Sequence, residues 1–251
     1  MEVLALIPAR MGSSRFPGKP MAALHGKPMI QHVYENVARS NSLTMTAVAT
    51  CDKIIADHIR SIGGLAVMTS ELHQRASDRC AEALDYIEKE HGKRFDVIVM
   101  VQGDEPMITP EMIDEAFEPF KRGENVRVVN LMAAIQSEKE FRDPNCIKVV
   151  VDRNEHALYM TRLPIPSGHN DGRNLRCKQV CVIPFLRSAL TQYLEMEPTP
   201  LEIAESIDML RLLENGQPVK MVFTENQTHA VDTTEDLAHV ARLMKANWLN
   251  L

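Results

Sequence analysis

The sequence lacks long apolar runs and an excess of positive charge. Its apolar runs, such as residues 97–101, fall far short of the ~18 residues that a membrane helix needs. The 28 basic residues are outnumbered by 34 acidic ones, which argues against a nucleic-acid backbone as the main partner. The first residues show no basic segment followed by an apolar core, as a signal peptide would. We therefore expect a cytoplasmic protein with no membrane and no nucleic-acid partner.

The sequence also lacks paired cysteines. It has five, an odd number, and no C-x-x-C motif. Scattered thiols of this kind are typical of a reducing compartment. Cys177 and Cys181 have no second pair and no histidine at metal-ligand spacing, which argues against a zinc site.

No repeat or Pro/Gly/Ser-rich linker divides the 251 residues, so we expect a single domain over 1–251. In the first half, strand and helix patterns alternate. Strands are predicted over 3–7, 46–49, 65–68 and 97–101, and helices over 28–39, 53–62, 77–90 and 110–120. This order predicts an α/β fold with a mostly parallel sheet and helices on both faces. Ligands of such sheets bind at the edge where the strands end.

The second half is less regular. Strands are predicted over 126–134, 146–151, 179–184 and 219–223, a loop over 163–172, and helices over 201–213 and 233–245. We expect the region of about 125–200 to be a lobe inserted into the sheet domain rather than a separate domain.

A cationic loop follows the first strand. Arg10, Arg15 and Lys19 share it with two glycines, Gly12 and Gly18. Small residues let backbone N–H groups approach a ligand, and guanidinium and ammonium groups neutralise phosphate charge. The loop is neither a Walker A sequence nor a dinucleotide G-x-G-x-x-G. It is a candidate triphosphate site, and a solvated surface turn is the alternative.

Two acidic segments follow predicted strands. Asp104, in the segment Q-G-D-E-P, lies at the end of the strand 97–101 and therefore at the same sheet edge as the cationic loop. A carboxylate beside phosphates is accommodated when Mg²⁺ lies between them. Asp232 is a candidate second carboxylate, although its spacing alone favours the N-cap of the last helix.

Five motifs together resemble one family. They are LIPARMGSSRFPGKP at 6–20, GKPMI at 26–30, VQGDEPMI at 101–108, ALY at 157–159 and VDTTEDL at 231–237. In this order and spacing they resemble the CMP-Kdo synthetases, the 3-deoxy-manno-octulosonate cytidylyltransferases. The resemblance implies a Rossmann-like nucleotidyltransferase fold, a homodimer, and use of CTP with Mg²⁺ to convert an acid sugar to its CMP derivative with release of pyrophosphate.

The resemblance also implies roles for particular residues. Lys19, Arg10 and Asp104 would be catalytic, and Asp104 and Asp232 would hold Mg²⁺. The nucleotide would contact Pro8, Ala9, Arg10, Arg15, Lys19, His73, Ser77, Arg79 and Gln102. The acceptor would contact Arg162, Gln179, Glu202 and Glu205. We expect in-line attack on the α-phosphate, with Lys19 and Arg10 balancing the developing charge.

The sequence departs from the family pattern at two places. Arg75 and Ala76 stand where the family has Ser-Gly beside the expected cytosine site. On the acceptor side, Gln179 replaces a histidine and Ile183 a tyrosine. Losing a hydroxyl partner from a polar pocket costs about 1–3 kcal/mol. These changes suggest a modified ulosonic acid or another small acid as acceptor.

Three alternatives remain open at this point. One is a different nucleotide, such as UTP. Another is a non-sugar acceptor, such as a phosphonate. The third is a catalytically silent nucleotide-binding paralogue, although the intact set of Arg10, Lys19, Asp104 and Asp232 argues against silence.

Overall fold

The computed structural model describes residues 1–13, 15–73, 75–167, 169 and 175–248, with side chains up to residue 245. The chain forms two compact units. The first comprises Met1–Asp114 and the C-terminal segment from Gln227, and the second comprises Glu115–Asn226. The second unit spans a wider range than the lobe predicted at about 125–200. The single-domain assignment stays a prediction.

The first unit is built on parallel strands. Its strands are β1 (Val3–Ala9), β2 (Ala23–Leu24), β3 (Lys27–Pro28), β4 (Met45–Thr50), β5 (Leu65–Met68) and β6 (Val97–Val101). The helices that begin in residues 1–114 are α1 (Met29–Val37), α2 (Lys53–Ser61), α3 (Ala76–His91) and α4 (Pro110–Lys121). Strands β6, β1, β4 and β5 are neighbours in that order, and all three pairs are parallel.

Strand β1 lies in the interior of this unit. Its residues 3–7 are at most 1% exposed, although successive side chains of a strand point to opposite faces. Both faces of the sheet are therefore covered at β1, and helices α1, α2 and α3 pack against its strands. The predicted helices and strands of this half are all present, with ends shifted by no more than two residues.

The C-terminal helix α9 (Thr234–Trp248) returns to the first unit through an apolar cluster. Val240 and Met244 of this helix pack with Leu24, Met29 and Val231. This packing holds the segment just before α9, where Asp232 lies, against the N-terminal part of the chain.

The second unit contains a mixed sheet. Its elements are β7 (Val129–Ala134), α5 (Glu138–Arg142), β8 (Lys148–Val151), β9 (Ala157–Thr161), β10 (Cys177–Val180), β11 (Val182–Leu186), α6 (Arg187–Glu195), α7 (Pro200–Glu205), α8 (Met209–Glu214) and β12 (Lys220–Thr224). The sheet order is β12-β7-β10-β8-β9, in which only β12 and β7 pair in parallel.

Two sequence-based predictions for this unit are wrong. The strand predicted over 179–184 is two strands, because the chain breaks pairing at Cys181 and the Asn130 amide donates to the carbonyl of Val180 at 2.7 Å. The helix predicted over 201–213 is two short helices, because Ser206 adopts a left-handed φ of 53° and ends α7.

Strands β2, β3 and β9 and helices α5 and α6 are absent from the prediction. Helix α6 does carry a helical apolar pattern at Ala189, Leu190 and Tyr193. Of the loop predicted over 163–172, residues 163–167 contain no helix or strand, whereas residues 168 and 170–172 lie outside the described residues. No helix in the described part of the chain is long and apolar enough to cross a membrane.

A buried lysine connects three segments of the second unit. Lys148 is fully buried, and its ammonium donates to the carbonyl oxygens of Asp143 at 2.6 Å, Cys146 at 2.7 Å and Arg162 at 2.9 Å. Burial lowers the pKa of Lys148. With three carbonyl partners, the side chain has a structural role.

Burial also raises the pKa of the neighbouring Cys146 thiol to about 12, from an ordinary value of 9.0. Because only the thiolate reacts, alkylation of Cys146 at pH 8 should be about a thousandfold slower than that of an ordinary thiol. Raising the pH should accelerate it about tenfold per unit up to the pKa. Iodoacetamide labelling followed by peptide mass spectrometry measures this rate. The same cysteine in urea is the control, and equal rates with and without urea would contradict the pKa shift.

Candidate functional site

The candidate site lies at the sheet edge where β1 and β6 end. Arg10 follows β1 directly, and Gln102, Gly103 and Asp104 follow β6. A Cβ at Gly103 would lie 3.1 Å from the carbonyl oxygen of Pro8. Glycine therefore lets the turn after β6 approach β1 this closely.

A cavity of about 330 Å³ opens at this edge. Ten of the predicted site residues line it, namely Pro8, Ala9, Arg10, Arg15, Lys19, His73, Arg79, Gln102, Asp104 and Asp232. It is also lined by Gly12, Ser13, Pro20, Arg75, Ala76 and Gly103. The site residues predicted in the first unit thus converge on one space, except for Ser77, which does not line the cavity.

The two carboxylates meet at Lys19. The ammonium of Lys19 lies 2.9 Å from Oδ2 of Asp104 and 3.4 Å from Oδ1 of Asp232. Arg15 donates to the same Oδ1 of Asp232 at 2.9 Å. The backbone also joins the two segments, because the Val231 amide donates to the Asp104 carbonyl at 2.8 Å. Two aspartates far apart in sequence therefore share one cationic partner.

This donor set fits a magnesium ion. Mg²⁺ takes one or two carboxylates together with phosphate oxygens and water, and Asp104 and Asp232 supply two carboxylates at one point. Within the described residues, no group of three or more His, Cys, Asp or Glu side chains forms an all-protein cation site.

The N-terminal cap of α9 does not use the Asp232 side chain, which can therefore face the cavity. The Thr233 hydroxyl accepts from the Asp236 amide at 3.2 Å, and the Asp236 carboxylate accepts from the Thr233 amide at 2.9 Å. The cap of α9 is therefore Thr233 with Asp236, and the interpretation of Asp232 as N-cap is wrong. The Asp232 side chain instead faces Lys19 and Arg15.

Asp52 anchors the cationic loop. This residue follows β4, and its carboxylate accepts from the Met11 amide at 2.8 Å. Within the loop, the Gly18 amide donates to the Met11 carbonyl at 3.0 Å, and Gly18 has a φ of 77°. Sequence reasoning missed Asp52, although its position at a strand end on the ligand edge was a usable signal.

The other wall of the cavity is the start of α3. Arg79 is 3% exposed, and its guanidinium donates to the Thr69 hydroxyl at 2.5 Å and to the carbonyls of Ser70 and His73, both at 3.3 Å. These contacts hold the loop before α3. Ser77 is fully buried beside it, with a hydroxyl that has no hydrogen-bond partner among the described residues. Gln74, which follows His73 in the sequence, lies outside the described residues.

The four predicted acceptor residues lie in the second unit, where each has internal partners. Arg162 donates from its side chain to the carbonyls of Pro144, Glu205 and Ser206 at 2.8, 2.6 and 3.1 Å. The Glu205 carboxylate accepts from the Arg162 amide at 2.9 Å and from the Thr161 hydroxyl at 2.7 Å. The side chain of each of these two residues therefore forms a hydrogen bond with the backbone of the other. Direct contact with an acceptor remains a prediction for both.

Glu202 is fully buried, and its two oxygens accept from Arg211 at 2.7 and 2.8 Å. This pairing gives Glu202 a structural role, and its contact with the acceptor remains a prediction. The Gln179 amide donates to Oδ1 of Asn130 at 2.6 Å, so its orientation is fixed by a buried side chain.

Comparison with known proteins agrees with this geometry. A family model described as Cytidylyltransferase matches residues 4–227. A Trichlorobacter lovleyi protein named 3-deoxy-manno-octulosonate cytidylyltransferase is 42% identical, over 98% of this chain and 99% of its own length. A protein of the same name from Geobacter metallireducens is 42% identical over 96% of both chains.

Solved structures give the same picture. A CMP:2-keto-3-deoxy-manno-octonic acid synthetase in complex with CTP matches with a TM-score of 0.88 and 34% identity, over 98% of this chain and 100% of the other. A 4-diphosphocytidyl-2C-methyl-D-erythritol synthase from Anaerococcus prevotii matches with a TM-score of 0.66 at 13% identity. The second match supports the fold alone.

Proposed function

Because the chain belongs to the 3-deoxy-manno-octulosonate cytidylyltransferase family, we propose that it transfers the cytidylyl group of CTP to Kdo or a Kdo-like ulosonic acid. Pyrophosphate is the second product. One observation carries the proposal: Arg15, Lys19, Asp104 and Asp232 are held in contact at the rim of one cavity at the sheet edge.

The chemistry follows from charge. The acceptor hydroxyl releases its proton to water as its oxygen attacks the α-phosphorus. The bond between the α-phosphorus and the bridging pyrophosphate oxygen breaks, so negative charge grows on the leaving pyrophosphate. The cationic loop after β1 places three positive side chains to balance this charge, those of Arg10, Arg15 and Lys19. Asp104 and Asp232 would hold Mg²⁺, which when bound neutralises phosphate charge and lowers the pKa of a coordinated hydroxyl. Pro8 and Ala9 at the end of β1 and Gln102 would present backbone and amide groups to the nucleotide.

The proposal extends to the compartment and the oligomeric state. The five cysteines, none of them in a disulfide, are consistent with a cytoplasmic protein. A homodimer is proposed from the family resemblance, and light scattering with mass determination tests it.

The test of the activity is a panel of nucleoside triphosphates with Kdo, Mg²⁺ and a coupled pyrophosphate assay. We expect release with CTP and a CMP-sugar mass in the product. Preference for UTP or another triphosphate would contradict the nucleotide assignment. Binding of CTP without pyrophosphate release, across ulosonic acids, sialic acids, amino sugars and phosphonates, would indicate a silent paralogue.

Of the two acceptors named in this proposal, the second candidate is a Kdo-like ulosonic acid other than Kdo. It is favoured by Gln179, held by Asn130, and by Ile183, which is 5% exposed and offers no side-chain hydrogen bond. Competition between Kdo and modified ulosonic acids in one reaction decides between the two. Kdo as the preferred acceptor would contradict the second candidate.

A further inference from the structure

We propose that Asp236 is a positioning residue for the reaction, and that its carboxylate sets the direction in which the Asp232 side chain enters the cavity. The inference rests on the proposed function, because it assigns Asp232 to the bound cation. Asp236 itself does not line the cavity. It lies in the first turn of α9, four residues beyond Asp232.

One carboxylate oxygen of Asp236 accepts three hydrogen bonds. Its Oδ2 accepts from the Asp232 amide at 3.1 Å, the Thr233 amide at 2.9 Å and the Thr233 hydroxyl at 3.0 Å. A helix cap needs only one of these bonds. The bond to the Asp232 amide is not needed for a helix cap. It fixes the backbone of Asp232, whose carboxylate lines the cavity.

The other side of Asp232 is fixed as well. The Val231 amide donates to the Asp104 carbonyl at 2.8 Å, and the Val231 side chain is fully buried in the cluster with Val240. The backbone of residues 231–233 is therefore held by Asp104 on one side and by α9 on the other. With the backbone fixed, the Asp232 side chain reaches Lys19 and Arg15.

The second oxygen of Asp236 is held too. Nε2 of His229 lies 3.5 Å from Oδ1, and the His229 ring packs against the His239 ring with centroids 4.9 Å apart. The Asp236 carboxylate is thus oriented by groups on both flanks of the turn. Residues that orient a metal ligand typically change metal affinity about 10- to 100-fold when they are removed.

The experiment compares Asp236→Ala with Asp236→Asn and a matched control. Glu235→Ala removes the same charge from the same first turn of α9. Its carboxylate is exposed and accepts from the Thr234 hydroxyl at 3.2 Å, not from Asp232. Mn²⁺ binding in the presence of CTP is followed by electron paramagnetic resonance of the free ion, alongside kcat, the KM for CTP and Tm.

We expect Asp236→Ala to weaken Mn²⁺ binding at least about tenfold and to lower kcat, with a smaller change in the KM for CTP. Asp236→Asn keeps an acceptor oxygen and should restore most of the Mn²⁺ affinity. Glu235→Ala should bind Mn²⁺ as the wild type does. Losing the cap alone should lower Tm by only about 2–4 °C.

Two results would overturn the proposal. If Asp236→Ala loses Tm but binds Mn²⁺ as tightly as Glu235→Ala, Asp236 is only a cap, and the proposed function stands. If the wild type itself binds no Mn²⁺ with CTP, both the metal assignment and the positioning role are wrong.

Discussion

Replacing Asp104 by alanine is expected to reduce pyrophosphate release by about a thousandfold while the protein stays folded. The loss follows from the geometry, because Asp104 supplies one of the two carboxylates at the proposed ion position and the 2.9 Å partner of Lys19. Removal of a single preorganised electrostatic group costs about 10²–10³ in rate. The fold should tolerate the change because the Asp104 side chain is 23% exposed, and partly exposed ion pairs contribute about 0–1 kcal/mol.

The matched control is Asp57→Ala. Asp57 is also an aspartate paired with a lysine, Lys53, but on the surface of α2 and outside the cavity. It should retain full activity. Activity and thermal unfolding are measured on both variants. Near-normal turnover in Asp104→Ala would remove the metal assignment, and a large drop in Tm would make the rate uninformative about chemistry.

Replacing Glu202 by alanine is expected to cost about 3–5 kcal/mol of unfolding free energy. Arg211, 5% exposed at its side chain, would then keep a buried charge with no carboxylate. Its remaining partners are the carbonyls of Tyr193 at 3.3 Å and Met196 at 3.1 Å and the face of the Tyr193 ring. These neutral groups do not replace an anion, so the uncompensated charge destabilises the second unit.

Urea denaturation measures this loss. Glu138→Ala is the control, because Glu138 pairs with Arg142 and Arg176 while its side chain is 53% exposed, and it should destabilise the protein far less than Glu202→Ala does. Removing both charges, as in Glu202→Ala with Arg211→Met, should recover part of the stability. A loss below about 1 kcal/mol in Glu202→Ala would contradict the stabilising role assigned to this buried pair.

The nucleotide side of the cavity could be predicted because its residues follow strand ends. Arg10 and Asp104 come directly after apolar strands, and parallel strands bring such residues to one edge. The role of Asp232 could not be read in this way. The segment Asp232-Thr233 offers two possible caps for α9, and only the backbone geometry shows that Thr233 takes this role.

In the second unit, the burial of Glu202 and the break between α7 and α8 could not be predicted, for a different reason. Glu202 is fully buried in α7, whereas the apolar Leu201 and Ile203 of the same helix are exposed. Its buried partner Arg211 lies in the next helix, so the burial of Glu202 depends on tertiary contacts. The break between α7 and α8 depends on the left-handed backbone of Ser206, a residue type that gives no such signal. Local periodicity carries no information about either feature.

The lining of the cavity has a consequence for how substrates reach it. Five permanently charged side chains of arginine and lysine face two carboxylates there, whereas the whole chain carries a formal charge of −6. The excess of positive charge in this lining attracts a diffusing polyanion to the cavity, although the chain as a whole is negatively charged. Such long-range guidance raises the rate of productive encounters and weakens as dissolved salt shortens the reach of the field.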